Sequence, residues 1–391
     1  MPLYLRALHA HSFQRLTAQS HISIGATMDR RTFLKSGSLL PAAAAMLPRI
    51  ASAAGEPASW RVFEVTTRVQ VLDAEGATRV WLPTPLAIDT DYFKNLGNVW
   101  SVEGGSVTYV EEPTHAVGIV AAGFPASTQT PVLRLTSRFA ARDRFVDLSR
   151  PPRTAPREDA AALKLALQPT EFIPTDGIVR ETALQITRGQ RTDVDKSRAI
   201  YEWIVENTFR DPKVRGCGWG DIKTMLETGN LGGKCGDLNA LYVGLARASG
   251  IPARDIYGIR VAKSNNGYLS MGANTESISK AQHCRAEFYT ASLGWVPVDP
   301  ADVRKLILEE PPGNLTLQDA KIQTAREVLF GGWEMNWIVY NHGHDVALAK
   351  SRGLPASFLM YPNAETAEGR LDSLNPATFR YAIHSREVEP T

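Results

Sequence analysis

The segment GGKCGDLNALYVGLARASGIPAR, residues 232–254, sets Cys235 just after a glycine pair and at the start of an amphipathic run. If Cys235 opens a helix there, the unpaired N–H groups and the positive end of the helix dipole favour thiolate over thiol. The preceding glycines let the backbone turn sharply and let another molecule come close. The Cys235 N–H can also donate to the oxygen of a tetrahedral intermediate. A cysteine by itself is more often a small, inert core residue. Whether this one is a nucleophile depends on its partners.

Two further stretches supply candidates. In AQHCRAEFY, His283, Arg285, Glu287 and Tyr289 share one face of a strand, and Cys284, Ala286 and Phe288 share the other. In GWVPVDP, Trp295, Pro297 and Asp299 alternate with Val296 and Val298. The intervening TASLG suits a hairpin. If Tyr289 pairs with Trp295, Asp299 falls opposite Arg285 and diagonal to His283; a slip by two puts it directly opposite His283. An odd slip would turn the valines outward and is disfavoured. In either even register imidazole and carboxylate can meet. A histidine on a strand and an aspartate before proline are each commonplace, the latter as a turn starter. Their joint occurrence with Cys235 suggests a triad: Cys235 the nucleophile, His283 the base and then the acid, Asp299 the group that orients and charges the imidazole.

The elements that must position these groups come in two textures. From Trp60 to about Leu148 the chain alternates like strands: RVFEVTTRVQV turns Phe63, Val65, Val69 and Val71 to one face, and VWLPTPL, SVTYVEE, AVGIVAA and PVLRLTSRF follow, divided by turn residues. That spacing predicts a β-sandwich-like module over 58–150, closed by the Pro-rich RPPRTAPR at 150–157. Helical spacing then takes over, with Thr192 or Asp193 starting one helix and Leu238, Leu241, Tyr242 and Leu245 forming the stripe of the cysteine's own helix, which Gly250 ends. Strands resume with DIYGIRV, HCRAEFY and GWVPVDP. Beyond Asp302 the pattern is mixed, with SFLMYP and TFRYAIHS as late strands.

The order Cys, His, Asp, carried by GGKCGDLNALYVGLARASGIPAR, AQHCRAEFY and GWVPVDPAD, resembles the transglutaminase-like superfamily, in particular its bacterial cysteine-peptidase group. The resemblance covers roughly residues 195–302 and implies a papain-like α+β fold in which Cys235, His283 and Asp299 take the family's catalytic positions. It also implies attack on an amide carbonyl through a thioester acyl-enzyme, with no cofactor and no metal. Peptidase or amidase activity on a peptide or protein, cell-wall peptides included, is the reading adopted. Amine-accepting acyl transfer and a non-catalytic binding protein on the same scaffold remain the alternatives. The domain expectation is a catalytic domain at 155–305 and a mixed extension at 306–391 packed on the core.

Other residues carry weaker expectations. Trp219, in CGWG, offers an indole N–H as a second oxyanion donor or a packing surface. Asn266 and Tyr268 sit in AKSNNGYLSMGANTESISK, residues 262–280, a polar loop before His283 that can shape substrate access. Cys217 and Cys284 can pair as a disulfide in an oxidising compartment. A zinc site from Cys217, Cys235, His283 and Cys284 is disfavoured, because adjacent strand residues face opposite ways and no C-x-x-C pair is present. No acidic loop of EF-hand type suggests calcium.

Residues 28–53 contain Arg30-Arg31, a moderately apolar stretch and ASA at Ala51–Ala53, which resembles a twin-arginine export signal. Met28 is then the expected start, with 1–27 an over-long gene start, and the mature chain begins near Ala54 in the periplasm or outside the cell. A net charge of +2 and 21% charged residues give no general push toward nucleic acid, and no apolar run spans a bilayer.

Overall fold

The computed structural model describes residues 59–149 and 157–389. The expected export signal, the gene start before it and most of the Pro-rich segment lie outside these residues.

Six strands open the described chain: β1 (Arg61–Val71), β2 (Thr78–Pro83), β3 (Phe93–Glu103), β4 (Ser106–Glu112), β5 (Val117–Phe124) and β6 (Val132–Ala141). Along β1 the buried residues alternate as its sequence predicts, with Phe63, Val65, Val69 and Val71 inward. Strand β3 was not foreseen. Its register shifts between Asn95 and Asn98, with Gly97 at φ 117°, and that bulge breaks the alternation by which strands are read.

Helices follow: α1 (Ala160–Leu165), α2 (Gly177–Ile186), α3 (Asp193–Asn207), α4 (Ile222–Thr228) and α5 (Cys235–Ala248). At the start of α3, Thr192 and Asp195 bond each other's backbone N–H in a reciprocal cap. Helix α5 does begin at Cys235, and Gly250, at φ 83°, stands in the left-handed conformation just past its end. Its apolar stripe understates its position: every residue of α5 is buried. Small residues on its other faces permit this, since a Cβ on Gly244 would lie 2.1 Å from Ile222 Cδ1. A helix enclosed on all sides holds its first residue in a fixed place.

Helix α5 packs on a four-stranded antiparallel sheet made of β7 (Ala253–Arg260), β8 (Gln282–Thr290), β9 (Gly294–Val298) and β10 (Trp337–Asn341), in the order β9-β8-β7-β10. Between β8 and β9, Tyr289 pairs with Trp295 and Ala286 with Val298, the first of the two registers allowed by the sequence. The Tyr289 and Trp295 rings meet edge-on, 5.5 Å apart. Helices α6 (Pro300–Glu309) and α7 (Ala320–Val328) precede β10.

The chain then returns to its beginning through β11 (Asn363–Thr366), β12 (Gly369–Arg370) and β13 (Phe379–Val388). One sheet of the sandwich runs β13-β1-β6-β3 and the other β12-β11-β2-β5-β4. Val69, Val80, Leu82, Val120 and Leu135 fill the space between them. The stretch after residue 306 therefore supplies strands to both sandwich sheets and one to the central sheet. The other end of the sandwich, at Phe63, Phe93 and Phe139, joins the same core as α5 and the central sheet.

Where β7 pairs with β10, at a register shift between Tyr257 and Gly258, the backbone at Gly258 leaves no room for a side chain. A Cβ there would lie 2.0 Å from the Ile338 carbonyl oxygen and 2.6 Å from the Trp337 ring. Gly258→Val is expected to destabilise the fold by about 3 kcal/mol in urea unfolding. Gly123→Ala, whose Cβ meets only Ser106 Oγ at 3.7 Å, is expected to stay within about 0.5 kcal/mol.

Candidate active site

The first turn of α5 is held by one carboxylate. Asp237 accepts the Lys234 N–H at 2.9 Å, and its other oxygen accepts the N–H groups of Trp219 at 2.9 Å and Gly220 at 3.0 Å. The Gly236 N–H donates to the Cys217 carbonyl at 2.8 Å. The loop before α4 is thereby wrapped against the helix start. Gly218, at φ 91°, sits so close that a Cβ would lie 1.9 Å from Asp237 Oδ2. Burial leaves the Asp237 pKa above its ordinary value despite these donors, and the neighbouring Cys235 charge adds to the rise.

Asp299 ends β9 and begins α6. Its Oδ1 accepts the Asp302 N–H at 3.1 Å, capping the helix, and the Asn239 amide at 3.3 Å. Its Oδ2 lies 2.7 Å from His283 Nε2. The aspartate before proline is thus both the turn starter and the imidazole's partner. With Nε2 engaged, Nδ1 is the nitrogen left to exchange a proton with a thiol. Asn239 also donates to the Cys284 carbonyl at 2.8 Å, and the Trp337 indole to the His283 carbonyl at 3.2 Å. Both bonds fix the strand that carries the imidazole.

A second carboxylate stands beside the first. Asp302 Oδ1 is 3.4 Å from His283 Nε2, and Arg260 grips both Asp302 oxygens at 2.6 and 2.7 Å. Arg285 Nε lies 3.7 Å from Asp299. All these groups are buried. Burial works against the Asp302 charge, but Arg260 and then His283 outweigh it and hold the carboxyl below its usual range. Burial, with Asp302 next to it, raises the Asp299 pKa. For His283, burial and Arg260 oppose the positive charge, yet Asp302 and Asp299 together keep its pKa above the ordinary value.

Cys235 shares a cavity of about 550 Å³ with His283. Its pKa falls well below that of a free thiol: hydrogen bonding from Cys217 and then Cys284 lowers it most, burial opposes, and His283 lowers it further. A depressed thiol and a raised imidazole favour a thiolate–imidazolium pair. Such a pair can attack an electrophilic carbonyl and return a proton to a leaving group.

The structure brings Cys235, His283 and Asp299 together and leaves the weaker candidates outside. Trp219 is 70% exposed and borders a separate crevice beside Gly220 and Gly236, not the cavity of Cys235. Tyr268 is buried against Lys321, with its hydroxyl donating to the Lys321 carbonyl at 3.3 Å, and Asn266 donates its backbone N–H to Ser264. Buried Glu310, bonded to Leu269 and Ser270, and Glu334, bonded to Ser264 and Asn265, pin that part of the loop down. The loop's later residues Gly272, Ser279 and Lys280 do line the cavity.

Other contributors were not anticipated. Asp302 and Arg285 stand at offsets readable from DPAD and HCRAE, but Arg260 and the wall formed by Tyr361, Leu374 and Tyr381 come from distant segments. The three cysteines also converge: their sulfurs lie within 4.8 Å of one another, and all three are free, buried thiols. Strand alternation, which argued against a shared site, says nothing about where the loop delivers Cys217. Among the described residues the cavity lining includes Arg210, Arg215, Lys234, Arg260, Lys280 and Lys305 and no carboxylate. Arg210 pairs with Glu309, Arg215 with Asp372 and Arg260 with Asp302. Among the described residues, no carboxylate lies within ion-pairing distance of Lys234 or Lys280.

Comparison with known proteins bears on the family and the fold. A family model described as the transglutaminase-like superfamily matches residues 180–300. The chain is 35% identical to an uncharacterised protein of Haemophilus influenzae over 328 residues, which is 81% of this chain and 88% of the relative. Its fold is similar to that of a candidate cysteine protease from Cytophaga hutchinsonii, with a TM-score of 0.51 at 15% identity, covering 85% of this chain and 93% of that one.

Alkylation of Cys235 by iodoacetamide should stay fast at pH values well below the free-thiol pKa, and be lost only as pH falls through the depressed value. His283→Ala is expected to move that midpoint upward, as read by mass spectrometry of the Cys235 peptide across a pH series.

Proposed function

The chain belongs to the transglutaminase-like superfamily, and on that premise we propose that it is an exported thiol hydrolase, a peptidase or amidase, with Cys235, His283 and Asp299 as its catalytic groups. The observation that carries this reading is the 2.7 Å contact of buried Asp299 with His283, whose ring lines the cavity that also holds a thiol of depressed pKa. The Cys235 thiolate attacks an amide carbonyl carbon, and the C=O electron pair moves onto oxygen, facing the N–H at the start of α5. As the C–N bond breaks, His283 gives its Nδ1 proton to the departing amine and a thioester remains. Water then loses a proton to His283 and attacks the thioester, which releases a carboxylic acid and restores the thiolate. Asp299 holds the ring's orientation and its charge through both halves.

The basic lining favours water over an amine as acceptor. An incoming alkyl amine is cationic at neutral pH and meets like charge around the cavity, whereas water does not. The same lining suits substrates that carry carboxylates near the scissile amide, to be received by Lys234 and Lys280, which have no carboxylate partner among the described residues. Acidic cell-wall peptides fall within that class. Export rests on the sequence of residues 28–53, and no helix among the described residues is long and apolar enough to cross a membrane.

Incubation with peptide amides should yield a covalent adduct on Cys235 by intact mass, at the mass of the acyl fragment. Cys235→Ala and His283→Ala are each expected to lower kcat/KM by about 10³-fold or more. Tight peptide binding by the unaltered protein, without adduct or turnover, would favour the binding-protein reading. In a matched peptide pair, Lys280→Glu should raise KM for the acidic member several-fold and leave the neutral one nearly unchanged.

A further inference from the structure

Cys217, Cys235 and Cys284 are the chain's three cysteines, and they arrive at one point from a loop, a helix start and the central sheet. Their sulfurs lie within 4.8 Å of one another. A fourth sulfur adjoins them, with Met360 Sδ 4.0 Å from Cys284 Sγ and Met360 itself 1% exposed. A metal bound to thiolates at about 2.3 Å holds its sulfurs roughly 4 Å apart, so gathering these three requires shifts of less than about 1 Å. Among the described residues the ligand atoms gathered at this point are sulfurs alone, and His283 is grouped instead with Asp299 and Asp302. Thiolate and thioether donors select soft, closed-shell cations, and copper(I) accepts three of them in a plane. Zinc would need a fourth strong donor, and a thioether is a poor one for it.

We propose that Cys217, Cys235 and Cys284 form a binding site for one copper(I) ion, with Met360 as an outlying fourth sulfur. Cys217 and Cys235 line the cavity while Cys284 lies wholly buried behind them, so the ion enters through the cavity and meets Cys284 last. Binding displaces the remaining thiol protons to solvent. Because Cys235 is one of the ligands, an occupied site has no free nucleophile, and the cavity holds either the ion or a reacting carbonyl. The site depends on the three sulfurs alone and stands whether or not the chain is a hydrolase.

The test uses the reduced full chain under anaerobic conditions, titrated with copper(I) supplied as its acetonitrile complex. The expected result is an ultraviolet thiolate-to-copper charge-transfer band that saturates at one ion per chain, with loss of Cys235 alkylation in parallel. X-ray absorption of the loaded wild-type protein should count at least three sulfur neighbours, a reading that requires no variant to fold. In competition with a copper(I) chelator, Cys217→Ser and Cys284→Ser should each weaken binding by more than about tenfold. Two or fewer sulfur neighbours, no saturation at one ion, or unchanged affinity in a folded Cys217→Ser or Cys284→Ser protein would overturn the site. Tighter binding of zinc(II) by the same cysteines would overturn the assignment to copper(I).

Discussion

One carboxylate joins the parts of this fold that the chemistry needs. Asp299 closes the strand beside His283, caps the helix that follows, accepts the Asn239 amide from α5 and holds the imidazole at 2.7 Å. Helix α5, the β8–β9 hairpin and α6 therefore meet at two oxygen atoms inside the core. Holding an ionised group there costs desolvation energy, which the surrounding donors offset only in part, so the Asp299 pKa stays raised. Arg260 neutralises Asp302, so the pair of carboxylates does not simply repel, and both charges are felt by His283. Removing the Asp299 carboxylate would leave the Asn239 amide, the α6 cap and the imidazole short of an acceptor at once.

The Cys235 end is built on the same scheme with a different carboxylate. Asp237 gathers three backbone N–H groups and fixes the loop carrying Cys217 against the start of α5. Its charge stands close to Cys235 and works against the thiolate. The fold balances this with thiol donors from Cys217 and Cys284 and with the imidazole. Positioning and ionisation are thus separate tasks assigned to separate side chains. The sandwich has a part as well: its C-terminal strands return past the cavity, so that Tyr361 and Tyr381 wall the same space as Cys235.

Local pattern made much of this legible from sequence. Alternation in AQHCRAEFY and GWVPVDP limited the hairpin to two registers, and Tyr289 pairs with Trp295 in the one that sets Asp299 opposite Arg285. The glycines and the helical run marked Cys235 as a helix start. What escaped reading depends on distance along the chain. The sequence allows Cys217 and Cys284 as a pair, but nothing local in GCGWG indicates that Cys217 reaches Cys235 as well. Nothing in NAET or TFRYAIHS indicates that these strands complete sheets begun some three hundred residues earlier. The bulge in β3 hid a strand, and the apolar stripe of α5 gives no sign that its glycine and alanine faces are buried as well.

The central claim is that Cys235 and His283 rest as a charged pair. It is tested most directly by nitrogen NMR of His283 in the intact protein near neutral pH, with Cys235→Ala as the reference. The account predicts both ring nitrogens protonated in the wild-type chain, and a downward shift of the imidazole titration when the sulfur is removed. A neutral ring, protonated on Nε2 toward Asp299 and unaffected by loss of the sulfur, would contradict it.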